Sequence, residues 1–284
     1  MLAIIGGSGL TTLSNLDVSH REIVRTPYGE ASGAIVIGQI GGQPAMFLPR
    51  HGHGHTIVPH MVNYRANLWA LHRRGATGVI SVASVGGIRG DLQPGEIVVP
   101  DQIIDYTWGR KSTYYETLDT PVTHVDFTAP YDADLRRRIV EAAATLSIPV
   151  KIGGVYAATQ GPRLETAAEI NRYEHDGADL VGMTGMPEAV LARELGLPYA
   201  AINVIANHAA GRGSSANGIH FESLEHVLRE AMGQVRAIIE RLVDSPDNCP
   251  PMGCRSREFQ KDSRDLARPK PRLNSHGKGV SIVP

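Results

Sequence analysis

The chain has 284 residues, of which 42% are hydrophobic and 20% are charged, and this composition can bury a full-sized core. The formal net charge of -1 and the lack of a basic stripe rich in aromatic residues exclude the electrostatic pattern of a nucleic-acid-binding protein. No apolar run approaches the roughly 18 residues of a membrane span. We therefore predict one large α/β domain in a soluble protein whose partners are small molecules.

The compartment is indicated by the cysteines and by the first residues. Cys249 and Cys254 lie in the same late segment, which gives no disulfide framework and fits a reducing compartment. The start, MLAIIGGSGL, has no positively charged region before its apolar run, so we expect a first strand and not a signal peptide. Both features predict a cytoplasmic protein.

Short apolar runs rich in Val, Ile and Ala recur along the chain. Several are apolar at successive positions, which is typical of strands covered by helices on both faces. They lie at residues 2–5, 34–38, 45–48, 78–84, 96–99, 153–159, 179–183 and 199–207. Helical periodicity is found between them at residues 63–75, 132–146, 165–176, 187–196 and 222–243. This alternation predicts an α/β fold, a single domain with a central mixed or mostly parallel β-sheet flanked by helices.

The composition changes after residue 244. Prolines, charges and small polar residues replace the apolar periodicity, so too little surface could be buried to offset the entropy of ordering. We predict that residues 1–244 form the folded domain and that residues 245–284 are a disordered tail with no catalytic part.

The first predicted strand runs into the glycine turn GGSGL at residues 6–10, where Ser8 lies between two glycines. Backbone N–H groups can approach an anion closely in such a turn, so a phosphate loop is one interpretation and a simple turn is the other. A dinucleotide fingerprint starting at Gly7 is excluded by Thr12, and a nucleophile elbow centred on Ser8 is excluded by Leu10, because both motifs need glycine there.

The stretch RHGHGHTIVPH at residues 50–60 contains four histidines and one arginine. His51, His53 and His55 have a spacing that could serve a metal, because imidazole is the commonest ligand of zinc. The permanent charge of Arg50 repels a divalent metal, and the segment has no Asp or Glu. An anion site is therefore favoured, with a metal site and a solvated surface loop as the alternatives.

Three later polar residues each have a functional and a structural interpretation. Thr184 is a candidate ligand-binding residue or the N-cap of the helix that follows it. Glu165 is a candidate binding residue or an acidic residue in a first helical turn. Asn207 follows a buried apolar run, where an unpaired carboxamide costs about 1–3 kcal/mol, so we expect it to have a partner.

Five segments carry a resemblance to a known family. They are GGSGL (6–10), RHGHGHTIVPHMVNYRANLWAL (50–71), GGIRGDLQPGEIVVPDQIIDYT (86–107), TQGPRLET (159–166) and VGMTGMPEAVLARELGLPYA (181–200). Together they resemble the trimeric purine nucleoside phosphorylase and methylthioadenosine phosphorylase family over residues 1–243. The resemblance implies cleavage of an N-glycosidic bond by inorganic phosphate, a purine salvage reaction, with no cofactor and no metal, in a homotrimer.

The resemblance also implies roles for individual residues around an oxocarbenium-like transition state. The residues implied at phosphate are Ser8, Arg50, His51, Ser84 and Thr184, together with the backbone near Ala83. The implied catalytic residues are His51 and Asn207. His55 is expected near the sugar and Met183 against the ribose. His124 is the candidate for a side chain that enters the site of a neighbouring subunit.

Base and sugar specificity depend on a few residues. The carboxamide of Asn207 can donate to a 6-oxo group while accepting from N7–H, and Glu165 can accept the N1–H that adenine lacks. In NGIHFESL, residues 217–224, the side chains of Ile219 and Phe221 suit an apolar S-methyl group, although His220 between them could serve a 5'-hydroxyl.

These features together predict cleavage of S-methyl-5'-thioinosine to hypoxanthine and 5-methylthioribose 1-phosphate. The alternatives within the family are inosine or guanosine and methylthioadenosine as substrates. The alternatives outside it are a non-catalytic purine-binding protein and a metal hydrolase built on the histidine cluster.

Overall fold

This computed structural model describes residues 1–116, 122–219, 221–244 and 281–283. The strands in these ranges are β1 (Leu2–Gly6), β2 (Asp17–Glu22), β3 (Ile35–Ile40), β4 (Gln43–Pro49), β5 (Gly78–Gly87), β6 (Ile97–Val99), β7 (Gln102–Asp105), β8 (Thr123–Val125), β9 (Val150–Ile152), β10 (Val155–Ala158), β11 (Leu180–Gly182), β12 (Tyr199–His208) and β13 (Ser281–Val283). The α-helices are α1 (Tyr64–Arg73), α2 (Ala133–Thr145), α3 (Ala167–His175), α4 (Gly185–Glu194) and α5 (Phe221–Val243). Among the described residues, no helix is long and apolar enough to cross a membrane.

A mixed sheet of 11 strands organises the domain. Its central strand, β5, pairs in parallel with β1 and with β12, and its last residues pair with β11 in the antiparallel direction. From β1 the sheet continues through β4 and β3 to β2, and from β11 it continues through β10 to β7. β6 and β9 extend it beyond β12. The predicted α/β domain with a mixed central sheet is confirmed.

The apolar run of β1 is buried on both of its faces. Ile5 belongs to the same core cluster as Leu68 of α1 and Leu191 of α4. Ile4, on the opposite face of the strand, belongs to a second cluster that contains Ile239 of α5. Helices therefore cover both sides of the sheet, which is the physical reason why this run lacks polar alternation.

Within residues 1–244, the hydrophobic pattern missed four of the described strands for two reasons. β2 is an antiparallel edge strand that is exposed along most of its length, so it carries no apolar run. β7, β8 and β9 have only three or four residues each, which is too short for a period to be read. These strands lie away from β1, β4 and β5, which carry the first candidate residues.

Strand β13, which lies in the predicted tail, pairs in parallel with β8. The other residues of 245–284 lie outside the described residues, so the disorder predicted for them stays a prediction.

Candidate active site

Several predicted site residues follow strands that end at one edge of the sheet. β1, β4, β5 and β12 are parallel to one another through their pairings. Ser8 follows the end of β1, Arg50 follows β4, and Asn207 lies near the end of β12. In an open α/β sheet, the carboxyl ends of parallel strands form the usual ligand-binding edge.

β11 brings a second group of residues to the same place from the opposite direction. Val181 lies opposite Gly86 in the antiparallel pairing with β5. Met183 and Thr184 follow the end of β11 at Gly182, and extension of the antiparallel register would place them near Ser84 of β5. The candidate residues therefore converge where the parallel and antiparallel parts of the sheet meet.

The glycine turn lies directly against Arg50. A Cβ at Gly7 would be 2.7 Å from Arg50 Nη1 and 2.8 Å from the carbonyl oxygen of Val82, so the close approach requires glycine. The hydroxyl of Ser8 lies 3.3 Å from Nε2 of His55. The structure thus brings Ser8 close to His55 and the turn that carries Ser8 against Arg50.

Arg50 is fully buried, and most of its donors are already bonded. Nε and Nη2 donate to the two carboxylate oxygens of Glu188 at 2.7 and 2.9 Å. Nη2 also donates to Ser81 Oγ at 2.7 Å, and Nη1 donates to the carbonyl of Val82 at 3.0 Å. A guanidinium has five N–H groups, so one N–H on Nη1, the atom beside Gly7, is left for a ligand.

Glu188 is a residue that the sequence interpretation missed. It is fully buried and also accepts hydrogen bonds from Ser81 Oγ at 2.8 Å and from the Tyr199 hydroxyl at 2.9 Å. Burial alone lowers the pKa of Arg50, but the charge and hydrogen bonds of Glu188 outweigh burial and raise that pKa. In the sequence, Glu188 resembles an ordinary acidic residue in the first turn of a helix, and its position within an otherwise apolar pattern was the available signal.

His51 is buried beside this ion pair and is neutral near pH 7. Burial, followed by the charge of Arg50, lowers the pKa of His51 from 6.5 to about 4. Nδ1 lies 2.8 Å from the carbonyl oxygen of Ile57, which can only accept, so the proton is on Nδ1. Nε2 therefore carries a lone pair, and the ring packs against that of His55 with centroids 4.6 Å apart.

Thr184 is buried at the start of α4 but does not cap the helix with its side chain. Its backbone N–H donates to the hydroxyl of Tyr156 at 3.3 Å. Capping through the hydroxyl, the structural alternative for this residue, is therefore wrong. The Thr184 side chain stays a candidate for ligand binding.

Glu165 lies just before α3 and not within its first turn. The N-cap of α3 is Thr166, which forms a capping box with Glu169, so the structural interpretation of Glu165 is wrong. Its Oε1 accepts a hydrogen bond from Thr159 Oγ1 at 2.7 Å. Glu165 and Ile219 line the same cavity, whose volume is about 360 Å³.

Asn207 follows an irregularity in β12. The pairing with β5 shifts register between Ile205 and Asn207, and such a bulge redirects the side chains that follow it. The Asn207 Nδ2 donates to the carbonyl of His208 at 2.6 Å, which fixes the carboxamide and leaves Oδ1 as an acceptor. The carboxamide thus has the protein partner that its half-buried position requires.

The remaining predicted residues are only partly described. His124 is exposed on β8. His220 and the side chain of Phe221 lie outside the described residues. Within the ranges that the structure describes, no group of three or more His, Cys, Asp or Glu side chains could hold a metal ion, so the histidine cluster forms no such group.

Known proteins resemble this chain over most of its length. The family model of the phosphorylase superfamily matches residues 1–244. A probable S-methyl-5'-thioinosine phosphorylase from Pseudomonas syringae pv. tomato is 49% identical over 86% of this chain and 98% of its own length. The 6-oxopurine nucleoside phosphorylase from Pyrococcus furiosus is 42% identical over 84% of this chain and 90% of its own.

A solved structure has the same fold. The methylthioadenosine phosphorylase from Schistosoma mansoni in complex with adenine has a TM-score of 0.82 and 30% sequence identity, and the match covers 93% of this chain and 96% of that one. The resemblance predicted from the five sequence segments is confirmed. The chain therefore belongs to the phosphorylase superfamily.

Proposed function

We propose that the chain cleaves the N-glycosidic bond of S-methyl-5'-thioinosine with inorganic phosphate and releases hypoxanthine and 5-methylthioribose 1-phosphate. Relatives named as a probable S-methyl-5'-thioinosine phosphorylase and as a 6-oxopurine nucleoside phosphorylase support the reaction and the class of base. The observation that carries the proposal is the Glu165 carboxylate, held by Thr159 at the cavity that Ile219 also lines.

The base end suits a 6-oxopurine. With Oε1 of Glu165 bonded to Thr159, we assign the other carboxylate oxygen as the acceptor of N1–H. Asn207 Oδ1 accepts from N7–H, and the N–H of its amide that is not bonded to His208 donates to O6. Adenine would instead point the lone pair of N1 at a carboxylate, and unpaired polar contacts of this kind give strong discrimination.

The reaction follows from charge placement on the two sides of C1'. A phosphate oxygen forms a bond to C1' while the C1'–N9 bond breaks and its electron pair moves into the purine ring. As phosphate becomes an ester it loses its P–OH proton, and an equivalent proton reaches N7 of the purine through solvent. Asn207 stabilises the departing base by accepting from the N7–H that forms. The phosphate is held by Ser8, by Thr184 and by the N–H on Nη1 of Arg50 that does not bond to Val82. Neutral His51 accepts a hydrogen bond from the P–OH group of the phosphate through Nε2. Phosphate is a co-substrate, and the mechanism uses no cofactor.

The 5' end and the assembly complete the proposal. Ile219 supplies apolar surface for the S-methyl group, and Phe221, whose side chain lies outside the described residues, stays a candidate for the same role. We also propose that the chain acts in the cytoplasm as a homotrimer, as the family resemblance implies, with His124 entering the site of a neighbouring subunit.

The test is release of free purine from S-methyl-5'-thioinosine, methylthioadenosine, inosine and guanosine, each with and without phosphate. We expect phosphate-dependent cleavage of S-methyl-5'-thioinosine above the other three. Equal or faster cleavage of inosine would show that the 5' pocket serves a hydroxyl. Cleavage of methylthioadenosine would contradict the roles of Glu165 and Asn207, and release without phosphate would contradict the reaction.

A further inference from the structure

Arg110 uses its guanidinium to join two segments of the candidate site. Nη1 donates to the carbonyls of Met183 and Met186 at 2.9 and 2.6 Å. Nη2 donates to the carbonyls of Thr159 and Gln160 at 3.1 and 2.9 Å, and Nε donates to the side-chain oxygen of Gln160 at 3.2 Å. These bonds occupy the five N–H groups of the guanidinium.

The two segments have different places in the proposed site. Residues 159–165, here named the base segment, end in Glu165, whose carboxylate accepts from the hydroxyl of Thr159. Residues 183–186, here named the sugar segment, begin with Met183, whose side chain packs where a Cβ at Gly161 would stand. Arg110 therefore bonds the backbone of the segment that meets the purine and the backbone of the segment that meets the ribose.

The loop that carries Arg110 is itself fixed to the domain. Glu194 of α4 accepts from Thr113 Oγ1 and from the backbone N–H of Tyr114, both at 2.8 Å. The guanidinium carbon of Arg110 lies 5.6 Å from the centroid of the Tyr64 ring, within the range of a cation–π contact. Arg110 is thus a preorganised bridge and not a mobile surface cation.

We propose that Arg110 is a positioning residue that sets the base segment against the sugar segment, so that the purine and the ribose of one nucleoside are held in register. The inference rests on the proposed function. A planar fork of donors is needed because four of the acceptors are carbonyls on two separate segments. The part of the phosphate site at Gly7, Ser8 and Arg50 is held by other bonds, and Thr184 is the one proposed phosphate ligand in the sugar segment, so phosphate binding depends on Arg110 less than the alignment of the nucleoside does.

The decisive variant is Arg110→Lys, which keeps the charge and loses the fork. We expect kcat/KM for S-methyl-5'-thioinosine to fall about 10²-fold, because small misplacements of reacting groups have effects of this size. The Kd for hypoxanthine alone should change by less than about threefold, since it involves only the base segment. The KM for phosphate should rise by less than about tenfold, because Ser8 and Arg50 still hold phosphate and only Thr184 lies in the sugar segment. If the substitution disrupted the fold as a whole, kcat/KM would fall and the KM for phosphate and the Kd for hypoxanthine would rise by similar factors.

A matched control and a milder variant complete the experiment. Arg137→Lys makes the same substitution at an exposed arginine of α2 that pairs with Asp134 and Glu141, and it should leave all three quantities unchanged. Gln160→Leu removes the side-chain oxygen that accepts from Arg110 Nε and from the backbone N–H of Trp108, and should lower kcat/KM about fivefold without changing the KM for phosphate. The inference would be overturned if R110K impaired nucleoside cleavage, phosphate use and hypoxanthine binding by the same factor. It would also be overturned if kcat/KM were unchanged in both R110K and Q160L. Failure of the proposed function would appear separately, in the wild-type protein.

Discussion

Arg50 and Glu188, 138 positions apart in the sequence, form a bidentate ion pair in which both side chains are fully buried. Ser81 and Tyr199 donate to the same carboxylate, so the pair is held by a network of hydrogen bonds. Burying two charges has a large desolvation cost, and a pair of this kind often adds little net stability. Its effect is to hold a guanidinium in one orientation, with a single N–H beside the glycine turn.

Removal of the negative partner should therefore affect both stability and phosphate use. Glu188→Gln leaves the guanidinium of Arg50 charged and buried, so we expect the free energy of unfolding to fall by roughly 3–5 kcal/mol and the KM for phosphate to rise at least about tenfold. Urea unfolding and initial rates at varied phosphate measure the two effects. Glu194→Gln, at a buried glutamate that accepts from neutral groups, is the control and should cost only about 1–2 kcal/mol. Wild-type stability in E188Q would contradict this account.

From the low pKa of His51 we expect acid to destabilise the folded protein. The folded state holds the pKa at about 4, below the ordinary 6.5, so between these values the unfolded chain binds the proton that the folded protein does not. The contribution of neutral, buried His51 to the free energy of unfolding is fully present above about pH 6.5. It is lost as the pH falls towards about 4. We expect His51→Asn, which can still donate to Ile57, to flatten the dependence of unfolding free energy on pH in this window. An unchanged slope, measured by urea unfolding, would show that other groups cause the acid sensitivity.

The sequence predicted the parts of this site that are local in the chain. The turn at Ser8 and the loop at Arg50 are marked by glycines, and the helices and buried strands are marked by their periodicity. It could not reveal Glu188 as the partner of Arg50 or Arg110 as a bridge, because these contacts join residues that are 49 to 138 positions apart. Contacts of that kind are set by how the strands are ordered in the sheet, which periodicity does not encode. The edge strand β2 was not predicted for a different, local reason: its residues are mostly exposed and show no pattern of burial.

Base selection can be tested at Asn207. Asn207→Asp replaces the carboxamide with a carboxylate that can accept from a 6-amino group, so we expect the ratio of kcat/KM for methylthioadenosine to that for S-methyl-5'-thioinosine to rise at least about tenfold. Asn171→Asp is a matched control, because Asn171 accepts from Arg212 through an oxygen that aspartate retains. If the ratio is the same in N207D as in the wild type, Asn207 does not read the base.

The close contact between the glycine turn and Arg50 gives a test of the phosphate site that changes no charge. Gly7→Ala introduces a Cβ at 2.7 Å from Arg50 Nη1 and 2.8 Å from the carbonyl of Val82, and the backbone there cannot yield easily. We expect the KM for phosphate to rise at least about tenfold while the Kd for hypoxanthine changes little, because the Nη1 donor moves and the base segment does not. Gly90→Ala is the control, since a Cβ at Gly90 meets no atom within 4 Å. A G7A variant with an unchanged KM for phosphate would place the phosphate away from this turn, and an equal loss of hypoxanthine binding would mean that the turn supports the whole site.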